Sequence, residues 1–338
     1  MKVARAGVLP IILAVCCVSA PPAELFTPDR LLAGVGDRLW WHESGEPVFL
    51  PEEARRLGLP SDLFEIWLPR GWRESWIPQR DLRRLSRAGT IPVVVEYFFR
   101  FGISRERVLR EREAWHRSLR RLADVVAIDS PVLVVLVPEF NDEPPYGETA
   151  ITSWAGFADE IAAALAIFRE RAPNARVGVC AGDFSPGRNL DVPLSGVSQQ
   201  LDFLAFQEMR AVTESSSSRS GYLNLGRAAL EYARYLQDEF RRPVLLAYVA
   251  VSSHGRWEVQ QRDALLDLAR QREALRQAGV FGAIYFQSRD DPSASGYFRE
   301  AEQSFGLNRV DGGEKPALRA WRRLSGDPRA QSRAPAFR

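Results

Sequence analysis

Several apolar runs in this sequence end in groups that can hold or move a proton. "PVLVVLVPEF" (131–140) reaches Glu139, with Asn141 two residues on; "ARVGVCAGDF" (175–184) reaches Asp183; "LDFLAFQEM" (201–209) reaches Glu208; "GVFGAIYFQ" (279–287) reaches Gln287. Glu96 lies late in another run, "TIPVVVEYFF" (90–99). A carboxylate at the end of a buried strand loses hydration and needs a partner or a task. Aromatic residues crowd the same ends: Tyr97, Phe98, Phe99, Phe140, Tyr248, Tyr285 and Phe286. Carboxylates among aromatic rings suit carbohydrate. Ring faces stack on the apolar faces of sugars, and carboxyl groups transfer protons or attack carbon. Trp40, Trp41, Trp67, Trp72 and Trp76 add platform candidates, Trp41 foremost, with His42 and Glu43 beside it.

Each residue also has a plainer use. Glu139 can cap a loop, Glu208 can pair with Arg210 or Arg289, and Asp183 can close an Asx turn in "GDFSPG". Glu96 can point into a barrel held by Arg100, Asn141 can brace Glu139, and any single Trp can be core. Other chemistries lack their signatures. His42, His116 and His254 are scattered, His116 on a charged helix expected at the surface. No HExxH or cysteine cluster suggests a metal, and "AGVGDR" is not the GxGxxG of a dinucleotide cofactor. Ser252-Ser253-His254 lacks the GxSxG elbow. No cofactor and no metal are expected.

The elements that must position these groups are short apolar runs alternating with amphipathic stretches. Runs begin at residues 30, 62, 90, 131, 175, 201, 242 and 279. Helical stretches follow most of them, near 78–88, 105–126, 153–172, 222–240, 260–279 and 316–324, with "PEEARRLG" after the first. Eight near-continuous apolar strands with helices between them predict an α/β fold, a (β/α)8 TIM barrel, over about 27–325. In such barrels the site is built on the C-terminal ends of the strands, where Glu139, Asp183, Glu208 and Gln287 fall.

The chain resembles the (β/α)8 glycoside hydrolases that carry an acid/base Glu after strand four and a nucleophile Glu after strand seven. "VPEFN" looks like that family's strand-four end, with Pro138 where Asn is usual, and "RPVLLAYVAVSSHG" looks like its strand seven. "GAIYFQSRDDP" looks like its last strand. The resemblance implies a hydrolase with Glu139 as acid/base, yet it puts Tyr248 where the nucleophile belongs. Glu208 is then the first candidate for a relocated nucleophile, and Asp183 and Glu96 follow. Glu96, Asn141, Asp183, Tyr248, Trp41 and Gln287 are expected to touch substrate. A noncatalytic sugar-binding barrel is the alternative.

The 338 residues are 46% hydrophobic and 26% charged, a globular composition, and a net charge of +2 gives no basic field for nucleic acid. Nearly all basic residues are Arg, Lys occurring at Lys2 and Lys315; the sequence attaches no function to that bias. Residues 1–20 read as a signal peptide: Lys2 and Arg5, then an apolar Val8–Val18, then Val18-Ser19-Ala20. That core is too short to span a membrane. A secreted or periplasmic protein is expected, with a lipid anchor at Cys16 or Cys17 as the alternative. Cys180 reads as a buried structural thiol. The stretch "TESSSSRSG" (213–221) reads as a mobile loop and residues 326–338 as a disordered tail.

Overall fold

The computed structural model describes residues 23–37, 58–100, 102–182, 189–211 and 224–326. The signal segment with Cys16 and Cys17, the 213–221 loop and residues 327–338 lie outside these, as do Trp40, Trp41, His42, Glu43 and Asp183.

Eight parallel strands close into a barrel in sequence order: β1 Leu32–Asp37, β2 Leu63–Pro69, β3 Ile91–Tyr97, β4 Val132–Leu136, β5 Ala175–Ala181, β6 Phe203–Arg210, β7 Val244–Val251 and β8 Val280–Tyr285. Because every strand is parallel, all C-terminal ends share one rim. The principal helices are α1 Gln79–Arg87, α2 Arg105–Val126, α3 Phe157–Arg171, α4 Leu225–Phe240, α5 Glu258–Arg270 and α6 Pro316–Ser325. The TIM barrel expected from the sequence is therefore the fold.

Local chemistry explains the boundaries. Ser104 caps α2 by accepting the Arg107 N–H at 3.1 Å, and Pro316 opens α6 where no amide donor is needed. Gly326 closes α6 in the left-handed region (φ 64°). The Trp321 indole of α6 donates to the Gly34 carbonyl at 3.0 Å, tying the last helix to the first strand. A Cβ on Gly34 would lie 2.2 Å from the Leu63 carbonyl oxygen, so the β1–β2 contact requires glycine there.

Alternation sorts the strand residues into two cores. Leu63, Trp67, Val93, Val95, Tyr97, Leu133, Val135, Phe203 and Ala205 fill the lumen. Phe64, Ile66, Val94, Val134, Leu204, Phe206 and Val249 pack outward under the helices, with Trp115, Phe168 and Trp321. The β6–β7 register shifts at Phe206/Gln207, where Ala247 is the extra residue; both Ala247 and Tyr248 then belong to the lumen.

Candidate functional site

Glu139 is placed by an abrupt end to β4. The run expected to continue to Phe140 stops at Leu136, because Val137 (φ 44°) and Glu139 (φ 61°) are both left-handed, on either side of Pro138. For a β-branched residue this is a true outlier, and such positions cost about 1–3 kcal/mol each. The Asp142 N–H closes the turn on the Glu139 carbonyl at 3.1 Å. The half-buried Glu139 carboxylate accepts a 3.1 Å hydrogen bond from the Tyr248 hydroxyl. Tyr248 is 0% exposed. Burial first, and then the negative charge of Glu139, push its phenol well above the ordinary value. It therefore stays neutral and donates.

The surroundings are aromatic and deep. The Trp67 ring meets Tyr248 at 4.8 Å, Tyr97 at 5.3 Å and Phe286 at 5.4 Å between centroids, each edge-to-face. Below them lies Glu65 of β2, between Leu63 and Trp67 on the lumen face. It is 0% exposed; the Trp67 indole donates to its Oε2 at 2.9 Å, while Oε1 has no partner. Burial holds its carboxyl well above the usual range, against that hydrogen bond. Cys180 faces the same space. Its thiol is raised by burial and then by the charges of Glu139 and Glu65. The expectation of a buried thiol was correct, but its neighbours are the site.

The other expected site residues divide by face. Asn141 clamps the end of β5: its Nδ2 donates to the Gly182 carbonyl at 3.1 Å and its Oδ1 accepts the Gly182 N–H. It is a brace. Gln287 is buried and its side-chain amide donates to the Arg289 carbonyl. Glu208 alternates with Leu204 and Phe206 on the outward face, registers with the outward Val249, and forms an ion pair with Arg210. The structure turns it from the lumen, where its neighbour Gln207 registers with Tyr248. Glu96 also faces outward, not into the barrel. Its Oε2 accepts the Trp115 indole N–H of α2 at 3.2 Å, and burial pushes its carboxyl up to about 8.

The aromatic bowl is likewise smaller than expected. Tyr97, Tyr248 and Phe286 line the lumen with Trp67, whereas Phe98, Phe99, Phe140 and Tyr285 belong to the outer core. Trp72 is core under α2, its indole donating to Ser118 at 3.1 Å. His116 is half-buried on α2, and desolvation lowers its pKa. Sequence reasoning missed Glu65 and Gln207. The signal for Glu65 was a carboxylate in mid-strand, in "DLFEIWL". Among the described residues no cluster of His, Cys, Asp and Glu could hold a metal ion, and no helix is long and apolar enough to cross a membrane.

No protein-family model and no curated protein matches the sequence. Solved structures do match. A GH5_18 variant from Streptomyces cattleya, in complex with Manb1-4GlcNAc, superposes with a TM-score of 0.62 at 19% identity, over 91% of this chain and 83% of that one. GH5_18 from Bifidobacterium longum subsp. infantis gives 0.61 at 19% identity, over 88% and 79%. The family 1 β-glucosidase from Thermotoga maritima gives 0.60 at 12% identity, over 88% and 97%. The chain carries the (β/α)8 fold of the barrel glycoside hydrolases.

Proposed function

We propose that this protein binds carbohydrate at the C-terminal mouth of its barrel, with Glu139 as the carboxylate that receives sugar hydroxyls, and that it lacks the two-carboxylate displacement chemistry of the hydrolases it resembles. The observation that carries this reading is Tyr248. It occupies the expected nucleophile position, is fully buried, and spends its hydroxyl on Glu139. Its phenol, held well above the ordinary value by burial, is a weaker nucleophile than the carboxylate the resemblance expects there. The alternative partners Glu208 and Glu96 face the helix layer. The buried aromatics Trp67, Tyr97 and Phe286 form an apolar floor beneath Glu139. The complex of the Streptomyces cattleya protein with Manb1-4GlcNAc supports a sugar as the class of ligand. The apolar, small-residue pattern of residues 1–20 supports export as part of this reading, to a secreted or periplasmic protein or one lipid-anchored at Cys16 or Cys17.

One observation favours a second reading, hydrolysis with Glu139 as general acid and Asp183, the sequence's next candidate carboxylate, activating water. The left-handed backbone at Val137 and Glu139 is the kind of strain that catalytic positions store. Titration calorimetry against manno- and gluco-oligosaccharides, with chromatography of the same mixtures, separates the two. Saturable binding without new reducing ends is the expected outcome. Product formed by the wild type and lost in Glu139→Gln would establish the hydrolase instead.

A further inference from the structure

Among the described residues, two large aromatic side chains stand in solvent: Tyr146, 107% exposed, and Tyr297, 70% exposed. A single exposed ring is ordinary. These two share an unusual placement. Tyr146 lies in the connection from β4 to α3 and Tyr297 in that from β8 to α6, so both leave the rim that carries Glu139. In a closed eight-strand barrel β4 and β8 are diametrically opposite. Strands spaced by about 4.8 Å and tilted by about 36° put opposite strand axes about 15 Å apart, more than one sugar ring.

Each ring is also presented by the same device. Tyr146 is the second residue of a turn in which the Glu148 N–H donates to the Pro145 carbonyl at 3.0 Å, with Gly147 left-handed at the third position (φ 86°). That turn is braced: Ser104 donates its hydroxyl to Glu148, and Thr149 donates its N–H and hydroxyl to Glu106, each at 2.8 Å. Tyr297 is the second residue of a turn in which the Arg299 N–H donates to the Gly296 carbonyl at 3.1 Å. Its next residue, Phe298, is buried, has its N–H on Glu302 at 3.2 Å, and packs against Phe305. Both tyrosines therefore stand on hydrogen-bonded corners, so little backbone ordering is left for a ligand to impose.

We propose that Tyr146 and Tyr297 are stacking platforms at the two ends of an extended β-linked polysaccharide that crosses the mouth over Glu139. Equatorial β-linkages give a ribbon of hexoses whose flat apolar faces are accessible along its length, which suits two separated rings. The inference rests on the carbohydrate reading of the mouth and adds the length of the ligand.

The test uses the whole protein with soluble galactomannan and mixed-linkage β-glucan as long probes, and mannobiose and cellobiose as short ones. The readout is the ratio of polymer to disaccharide affinity. Tyr146→Ala and Tyr297→Ala should each lower it about fivefold, and the double variant about 25-fold, the worth of one and two aromatic stacks. Tyr146→Phe and Tyr297→Phe keep the ring and should restore the ratio to within about twofold of wild type. A double alanine variant that keeps the wild-type ratio overturns the platforms and leaves the Glu139 site standing. A wild type that binds none of the four probes overturns both.

Discussion

Glu96→Gln is expected to flatten the pH dependence of stability between about pH 4.5 and pH 8. Glu96 is buried under α2, and burial raises its carboxyl from 4.5 to about 8. Between those values the folded chain keeps the proton and the unfolded chain has lost it. The folded state binds more protons, so stability falls as pH rises from 4.5 and levels off above about 8. At about 1.4 kcal/mol per pH unit the interval amounts to about 5 kcal/mol at most. The glutamine cannot ionise, and its carbonyl can still accept the Trp115 indole. Urea unfolding of both proteins at pH 5 and pH 8.5 measures the effect: the wild type should lose more stability than the variant, which keeps the fall contributed by the raised carboxyl of Glu65. Equal losses would mean that Glu96 is ionised in the fold.

Lys315→Met should destabilise the protein by about 3–5 kcal/mol, the usual result of removing one partner of a buried ion pair. The Lys315 side chain is 1% exposed. Its ammonium donates to Asp290 at 2.6 Å, to the Ser253 hydroxyl at 2.8 Å and to the Ser304 carbonyl at 3.2 Å. It thus joins the ends of β7 and β8 to the start of α6. Burial lowers the lysine pKa and raises that of Asp290, while their mutual attraction opposes both changes. Without the ammonium, Asp290 keeps the Gly306 N–H at 2.9 Å but loses its countercharge. Asp290→Asn in the Lys315→Met background should recover part of the loss in urea midpoint. A single variant as stable as wild type would show the pair to be dispensable.

The barrel was legible because parallel strands read as apolar runs of fixed length separated by helical periods. Seven of the eight strand runs begin within two residues of the observed strands at Leu32, Leu63, Ile91, Val132, Ala175, Phe203 and Val244, and the eighth at Val280 does likewise. The same property hid the facing of their side chains. A strand buried on both sides is apolar at odd and even positions alike, so nothing local told Glu96 and Glu208 from lumen residues. Pairing decides it: Glu208 registers with outward Val249. The bulge at Ala247 is equally invisible to a two-residue period, yet it is what turns Tyr248 inward toward Glu139. Glu139 itself was legible because a carboxylate after an unbroken apolar run is costly wherever it points. Lys315 was read as part of an arginine-rich bias. Its place is chemical: three acceptors converge on a compact ammonium, a geometry that a planar guanidinium does not match.

The central claim is that Glu139 meets a sugar at the barrel mouth. It is tested most directly by titration calorimetry of the wild type and Glu139→Ala with the manno- or gluco-oligosaccharide that binds best. Removing a charged acceptor from a sugar hydroxyl should weaken binding by about 10- to 100-fold, corresponding to about 1.5–3 kcal/mol. Equal affinities in the two proteins, with the fold of the variant intact by circular dichroism, would contradict the account.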